Sequence, residues 1–283
     1  MLYSTNMSKS ETKKRKKIGL ALSGGGWKGI AHIGVLKVLE KNNIPIDFIA
    51  GTSAGSIVGG LYSYYGNVEQ LQEFLLNFNY KDLFKIITDP KLKTGIINGR
   101  KITNYINKKT DNVNIEDLKI PFAAVATDLI TGNSYYFKEG NLAEAIRASI
   151  SLPLLFQPKI KDGMVLVDGG VTENIPVNCV REMGADFIIA SDVNSGFFPL
   201  KTGVVKNAKN IALVSTRATL NTLSNMLAAQ ADYVIEPKIP TEKIKVGVGY
   251  FLEFIKEKEI IAIGEKGAED NIKELKKYLS DKI

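Results

Sequence analysis

The chain holds one cysteine, one histidine and one tryptophan in 283 residues, and each scarcity removes a class of explanation. With Cys179 alone no intramolecular disulfide can form, which fits a reducing cytoplasm; within VNCVREMG that thiol reads as a packing residue. With His32 alone, catalysis by an imidazole base has a single candidate. Long apolar runs are also lacking. Residues 48–68 carry no charge, but five glycines together with Thr52, Ser53 and Asn67 disqualify them as a membrane span. No apolar segment of signal-peptide length precedes the first strand, so the expected location is cytoplasmic.

Positive charge is in excess but unevenly placed. Of the formal net charge of +7, residues 1–17 supply +5, from Lys9, Lys13, Lys14, Arg15, Lys16 and Lys17 against Glu11, leaving +2 for the remainder. The predicted arrangement is a disordered basic tail over 1–17 and one domain over 18–283. The tail attracts an anionic membrane face at most weakly, and the nearly neutral body gives no reason to expect a nucleic-acid partner.

With 45% hydrophobic residues the chain can build one large core. Apolar runs of strand length alternate with segments of helical period: IGLALS (18–23), a helix over 29–41, IPIDFIAG (44–51) and a helix from Ser53. The pattern resumes with PFAAVATDL (121–129), NSYYF (133–137), MVLVDGG (164–170), FIIASDV (187–193) and YVIEPKI (233–239). This alternation predicts a three-layer α/β/α fold with a mostly parallel central sheet and a site at the carboxyl ends of the strands. Residues 68–110 read as helices around the loop DPKLKTGIINGR, a cap or lid insertion. Ala268, Ile272, Leu275 and Leu279 recur at helical spacing, so 264–281 is expected to dock an amphipathic helix on the core.

Three loops carry chemistry. GTSAG (51–55) has the spacing G-x-S-x-G directly after a strand and opens into a helix, the context of a nucleophile elbow with Ser53 at its tip. At that position the hydroxyl lies near the positive end of a helix dipole, which favours a developing alkoxide. SGGGWKG (23–29) is also strand, loop and helix; its backbone N–H groups can form an anion-binding nest of the kind an oxyanion hole needs. Gly24, Gly26 and Gly29 also satisfy G-x-G-x-x-G, but the second strand ends in Gly51-Thr52-Ser53, with no carboxylate for a ribose hydroxyl, and no G-K-[ST] follows for a P-loop. Trp27 beside this loop reads as packing. The third loop follows VLVDGG, whose Asp168 ends an apolar strand.

A catalytic serine needs a base. His32 shares a helix face with Leu36 and Leu39, which predicts that it packs in the interior, so a carboxylate must serve: Asp168 first, with Asp128 and Asp192 also at strand ends. A GGGxxG, a GxSxG and a DGG in this order, with no histidine required, resemble the patatin-like phospholipases across residues 18–195. The resemblance implies a Ser53–Asp168 dyad, an oxyanion hole from Gly24, Gly25 and Gly26, and hydrolysis of phospholipid, lysophospholipid or neutral acylglycerol esters through an acyl-enzyme. It implies no metal or organic cofactor, and peripheral membrane contact follows only from the lipid substrates. ASISLPLLFQP (148–158) is similar to the family stretch that lines the substrate entrance. Lys28 stands where the family often has arginine, and Gly170 where it often has alanine.

Overall fold

A computed structural model describes residues 15–77, 97–195, 208–240 and 257–282. Most of the basic tail and the loop DPKLKTGIINGR up to Ile96 lie outside them. The described strands are β1 (Ile18–Leu22), β2 (Phe48–Thr52), β3 (Phe122–Asp128), β4 (Ser134–Phe137), β5 (Lys159–Lys161), β6 (Met164–Asp168), β7 (Phe187–Ser191) and β8 (Tyr233–Ile235). They form one sheet in the order β5-β6-β3-β2-β1-β7-β8, with β4 paired to β3. The five strands from β3 to β8 are parallel, whereas β4, β5 and β6 join antiparallel.

Side-chain alternation explains why both faces are covered. Along β1, Ile18, Leu20 and Leu22 enter one apolar cluster and Ala21 the other; along β7, Phe187 and Ile189 oppose Ile188 and Ala190. Helices α1 (Ala31–Lys41), α2 (Ala54–Tyr65), α3 (Val68–Leu76), α4 (Arg100–Lys109) and α5 (Leu142–Ser149) contribute to the larger cluster. Residues of α6 (Val177–Glu182) and α7 (Ala208–Ala228) cover the other face, where the strands present mainly alanine. The three layers expected from the sequence are therefore present.

Strand ends depart from the sequence reading where backbone donors are missing or diverted. β2 starts at Phe48 because Pro45 has no N–H and the Ile44 amide turns back to the Leu39 carbonyl. β8 stops at Ile235, two residues before Pro237. β5 went unread, since Lys159, Ile160 and Lys161 present only one apolar residue.

The carboxyl-terminal helix, α8 (Glu257–Lys282), is longer than its apolar stripe predicts, and it docks on α1 with Ala268, Leu275 and Leu279 buried. A Cβ on Gly34 would collide with the Ile261 carbonyl, and one on Gly264 with the Ala31 carbonyl, so the two backbones touch. Lys37 and Glu265 pair beside this crossing. No helix among the described residues is long and apolar enough to cross a membrane.

Replacing Gly34 by valine should separate these helices and cost about 1–3 kcal/mol of stability, as overpacking does. A lowered urea midpoint is the readout; an unchanged midpoint would mean the crossing can relax.

Candidate active site

The geometry of the site follows from β3. Ala124 and Val125 pair with both β2 and β4, while Ala126 and Thr127 pair with both β4 and β6. A strand has only two edges, so β2 and β6 share one edge of β3 and meet end to end from opposite directions. Val125 is the partner of Thr52 and the next residue, Ala126, is the partner of Asp168. Ser53 and Asp168, 115 positions apart in sequence, are thereby brought face to face: Ser53 Oγ donates to Asp168 Oδ2 at 2.6 Å.

Ser53 adopts φ 52 and ψ −121, a backbone that non-glycine residues rarely take, and α2 begins at the next residue. The turn is tight enough that a Cβ on Gly51 would strike the Gly55 carbonyl and one on Gly55 the Leu22 carbonyl. These collisions account for the small residues of G-x-S-x-G. The elbow is tied down from outside as well. The Ser53 amide donates to Ser149 Oγ at 2.9 Å, and Ser149 Oγ donates in turn to the Val125 carbonyl at 2.6 Å. Thr52 Oγ1 donates to the Glu173 carbonyl at 2.7 Å.

Asp168 is 4% exposed. Its Oδ1 accepts from the Gly170 amide at 2.8 Å, and its own amide donates to the Ser151 carbonyl at 2.9 Å. Burial outweighs the two hydrogen bonds that favour the charged form and pushes its carboxyl up to about 6. The other carboxylates near strand ends serve as backbone staples. Asp128 accepts from the amides of Ile130 and Val165 and from Thr131 Oγ1, and Asp192 accepts from the Asn194 amide.

His32 is fully buried between Ser191 Oγ and the Ser23 carbonyl, each 2.9 Å from a ring nitrogen. Donation to the carbonyl requires the proton on Nε2, leaving Nδ1 to accept from Ser191. Burial lowers its pKa to about 4, so the ring is neutral near neutral pH. It contacts neither Ser53 nor Asp168 by hydrogen bond and packs as the helix pattern predicts. Cys179 is likewise buried, and Trp27 packs partly buried against the larger cluster.

The glycine loop sits beside the elbow, with Gly24 held between Ser53 Cβ and Asn174 Oδ1. Its amide donates to the Asn174 carbonyl at 2.9 Å, which occupies one of the three donors assigned to an oxyanion hole. The amides of Gly25, Gly26 and Ala54 carry no hydrogen bond to any described residue. Buried Lys28 directs its ammonium to Asn194 Oδ1 at 2.8 Å, fastening the loop after β7 to the glycine loop.

Sequence reasoning missed Ser149, Ser151, Glu173 and Asn174. The first two lie in ASISLPL (148–154), whose residues 149 and 151 hold the elbow and Asp168 while Leu152 and Leu154 face outward. A serine that acts through one or two backbone contacts has no period or spacing to mark it.

Residues 20–179 match the patatin-like phospholipase family. An uncharacterized NTE family protein of Mycobacterium tuberculosis is 36% identical over 179 residues, 63% of this chain and 49% of that protein. Lysophospholipase NTE1 of Meyerozyma guilliermondii is 37% identical over 186 residues, 63% of this chain and 13% of that protein. The chain thus spans about half the length of the first of these relatives and far less of the second. The crystal structure of VipD from Legionella pneumophila shares the fold with a TM-score of 0.55 at 13% identity, covering 93% of this chain and 69% of that one. The matched segment contains the glycine loop, the elbow and the Asp168 turn, and on that ground the chain belongs to the patatin-like phospholipase family.

Proposed function

We propose that the protein is a serine acyl hydrolase that cleaves lipid carboxylic esters through a Ser53–Asp168 dyad, and the observation that carries this reading is the 2.6 Å bond from Ser53 Oγ to Asp168 Oδ2. A carboxyl near 6 is largely ionised at neutral pH yet basic enough to accept the serine proton as the C–O bond forms. Ser53 Oγ attacks the ester carbonyl while its proton passes to Asp168. The tetrahedral oxyanion is received by the amides of Gly25, Gly26 and Ala54, the last being the residue after the nucleophile. Gly24, expected as a third loop donor, shapes the hole through its bond to Asn174.

Collapse of the intermediate expels the alcohol, which takes the proton from Asp168 and leaves Ser53 acylated. Water then attacks the acyl carbon, giving its proton to Asp168, and the second collapse releases the fatty acid and returns the proton to Ser53. The strained elbow holds Oγ in place before substrate arrives, so little ordering is left for the reaction itself. Membership of a phospholipase family and the lysophospholipase name of one relative favour lysophospholipids and phospholipids as substrates.

Hydrolysis of p-nitrophenyl butyrate tests the dyad. Ser53→Ala and Asp168→Asn, checked as folded by circular dichroism, should lose about a thousandfold or more in kcat, as removal of a nucleophile or its base does. His32→Gln should retain turnover. Full activity in Ser53→Ala would end the proposal.

The pH profile is a second test. Protonated Asp168 cannot act as a base, so kcat/KM should be level above about pH 7 and fall about tenfold per unit below about 6. An acid limb near 4 would contradict this assignment.

Stability should run the other way. The folded carboxyl lies above its ordinary 3.8, so between these values the folded state binds more protons than the unfolded state, and stability falls as pH rises through 6. Above that range the ionised Asp168 costs on the order of 3 kcal/mol. Asp168→Asn should therefore melt higher than the wild type at pH 8 while remaining inactive; a lower Tm would argue against an unfavourable buried charge.

A further inference from the structure

Among the described residues eight large apolar side chains are exposed, and five of them come from three neighbouring segments: Leu129 at 53%, Ile130 at 67%, Leu152 at 45%, Leu154 at 79% and Ile160 at 64%. Strand register places these segments together. The Leu129 amide donates to the Val165 carbonyl, Ile160 is the strand partner of Val165, and Ser151, next to Leu152, accepts from the Asp168 amide. All three segments therefore border β6, the first two on either side of Val165 and the third at Asp168, about 10 Å further along the strand. They also lie on the carboxyl edge of the parallel strands, the edge at which Ser53 opens.

Leu154 adds an independent sign. Its φ of 72 is costly for a leucine, and its side chain gains almost no burial in return. Cations flank the same rim. α4 carries Arg100, Lys101, Lys108 and Lys109 without an acidic residue, and Arg100 lines a cleft of about 430 Å³ together with Lys159, which pairs with Glu144, and Ile160. Exposed aliphatic tips beside a cationic helix form the combination that partitions into an anionic lipid interface.

We infer that Leu129, Ile130, Leu152, Leu154 and Ile160, backed by the basic start of α4, form the surface on which the protein settles on an anionic phospholipid bilayer. This rests on the hydrolase reading in one respect: a lipid ester must leave the bilayer to reach Ser53, and the rim begins one residue from the carbonyl that holds Asp168. Docking by this edge brings the mouth of the site to the headgroups.

The test uses the full chain with phosphatidylcholine vesicles, with and without phosphatidylglycerol, in a Ser53→Ala background so that the vesicles stay intact. Adding Ile130→Asp and Ile160→Asp should lower sedimentation with anionic vesicles about tenfold or more. The same pair in an otherwise wild-type chain should leave kcat/KM on p-nitrophenyl butyrate within about twofold, because neither side chain belongs to the dyad or the hole. Arg100→Glu with Lys101→Glu should weaken binding to anionic vesicles and leave binding to neutral ones unchanged. Vesicle binding that survives the aspartate pair overturns the inference, as does a parent chain that fails to sediment or a wild-type dimer that the pair dissociates, which would assign the face to a second copy. Vesicle binding that depends on the rim in a protein without esterase activity would uphold this surface and remove the hydrolase reading instead.

Discussion

One edge of β3 holds two strand ends that arrive from opposite directions, and the rest of the site depends on it. Because Val125 pairs with Thr52 and Ala126 with Asp168, the separation of Ser53 and Asp168 is set by the spacing of neighbouring residues on one strand. A backbone ladder is a stiffer spacer than a pair of loops, and a slip of one residue would turn every β3 side chain to the opposite face. Both faces are packed, so no such slip is available. The same strand supplies the Val125 carbonyl that anchors Ser149, which in turn holds the elbow amide.

Around this splint the carboxylates at the strand ends differ in how many hydrogen bonds support their charge. Asp128 accepts three hydrogen bonds and Asp192 closes a turn, both as fixtures of the backbone. Asp168 has less support for its charge than Asp128, one amide and one hydroxyl, and burial raises its pKa. The strained Ser53 backbone and the under-supported Asp168 charge are each unfavourable for the fold alone. Their cost is offset by packing elsewhere, including the glycine-mediated contact of α1 with α8 and the alanine-lined face under α6. His32 follows the opposite logic: with both ring nitrogens bonded in the interior, it remains neutral and links α1 to the strand ends beneath the glycine loop.

The rim gives the same edge of the sheet an outward function. β3 and β6 extend past the end of β2 and carry their connecting turns beyond the level of the site, so segments flanking the dyad are also the ones that project. The proposed catalytic pair and apolar contact surface can share one sheet edge because a strand that runs inward to present Asp168 must first have been led outward.

Much of the site was legible because its chemistry imposes local sequence rules. G-x-S-x-G follows from backbone collisions at the elbow, DGG from a turn after a buried strand, and the helical spacing of His32 with Leu36 and Leu39 from a shared inward face. The apolar periods also identified the layers and the carboxyl-terminal helix. What they could not express is relative direction and non-local pairing. β6 reads the same whether parallel or antiparallel, KIK gives no sign of β5, and Ser149 and Ser151 act through contacts to distant backbone. The commitment of the Gly24 amide to Asn174 likewise depends on two loops meeting. The sequence by itself determined which residues could be nucleophile and base and which segments would be strand or helix, since these depend on side-chain type and local period. Only the tertiary structure decided that Ser53 and Asp168 face each other and which loop amides find no partner among the described residues, because hydrogen bonds between strands form between partners whose separation along the chain carries no local signal.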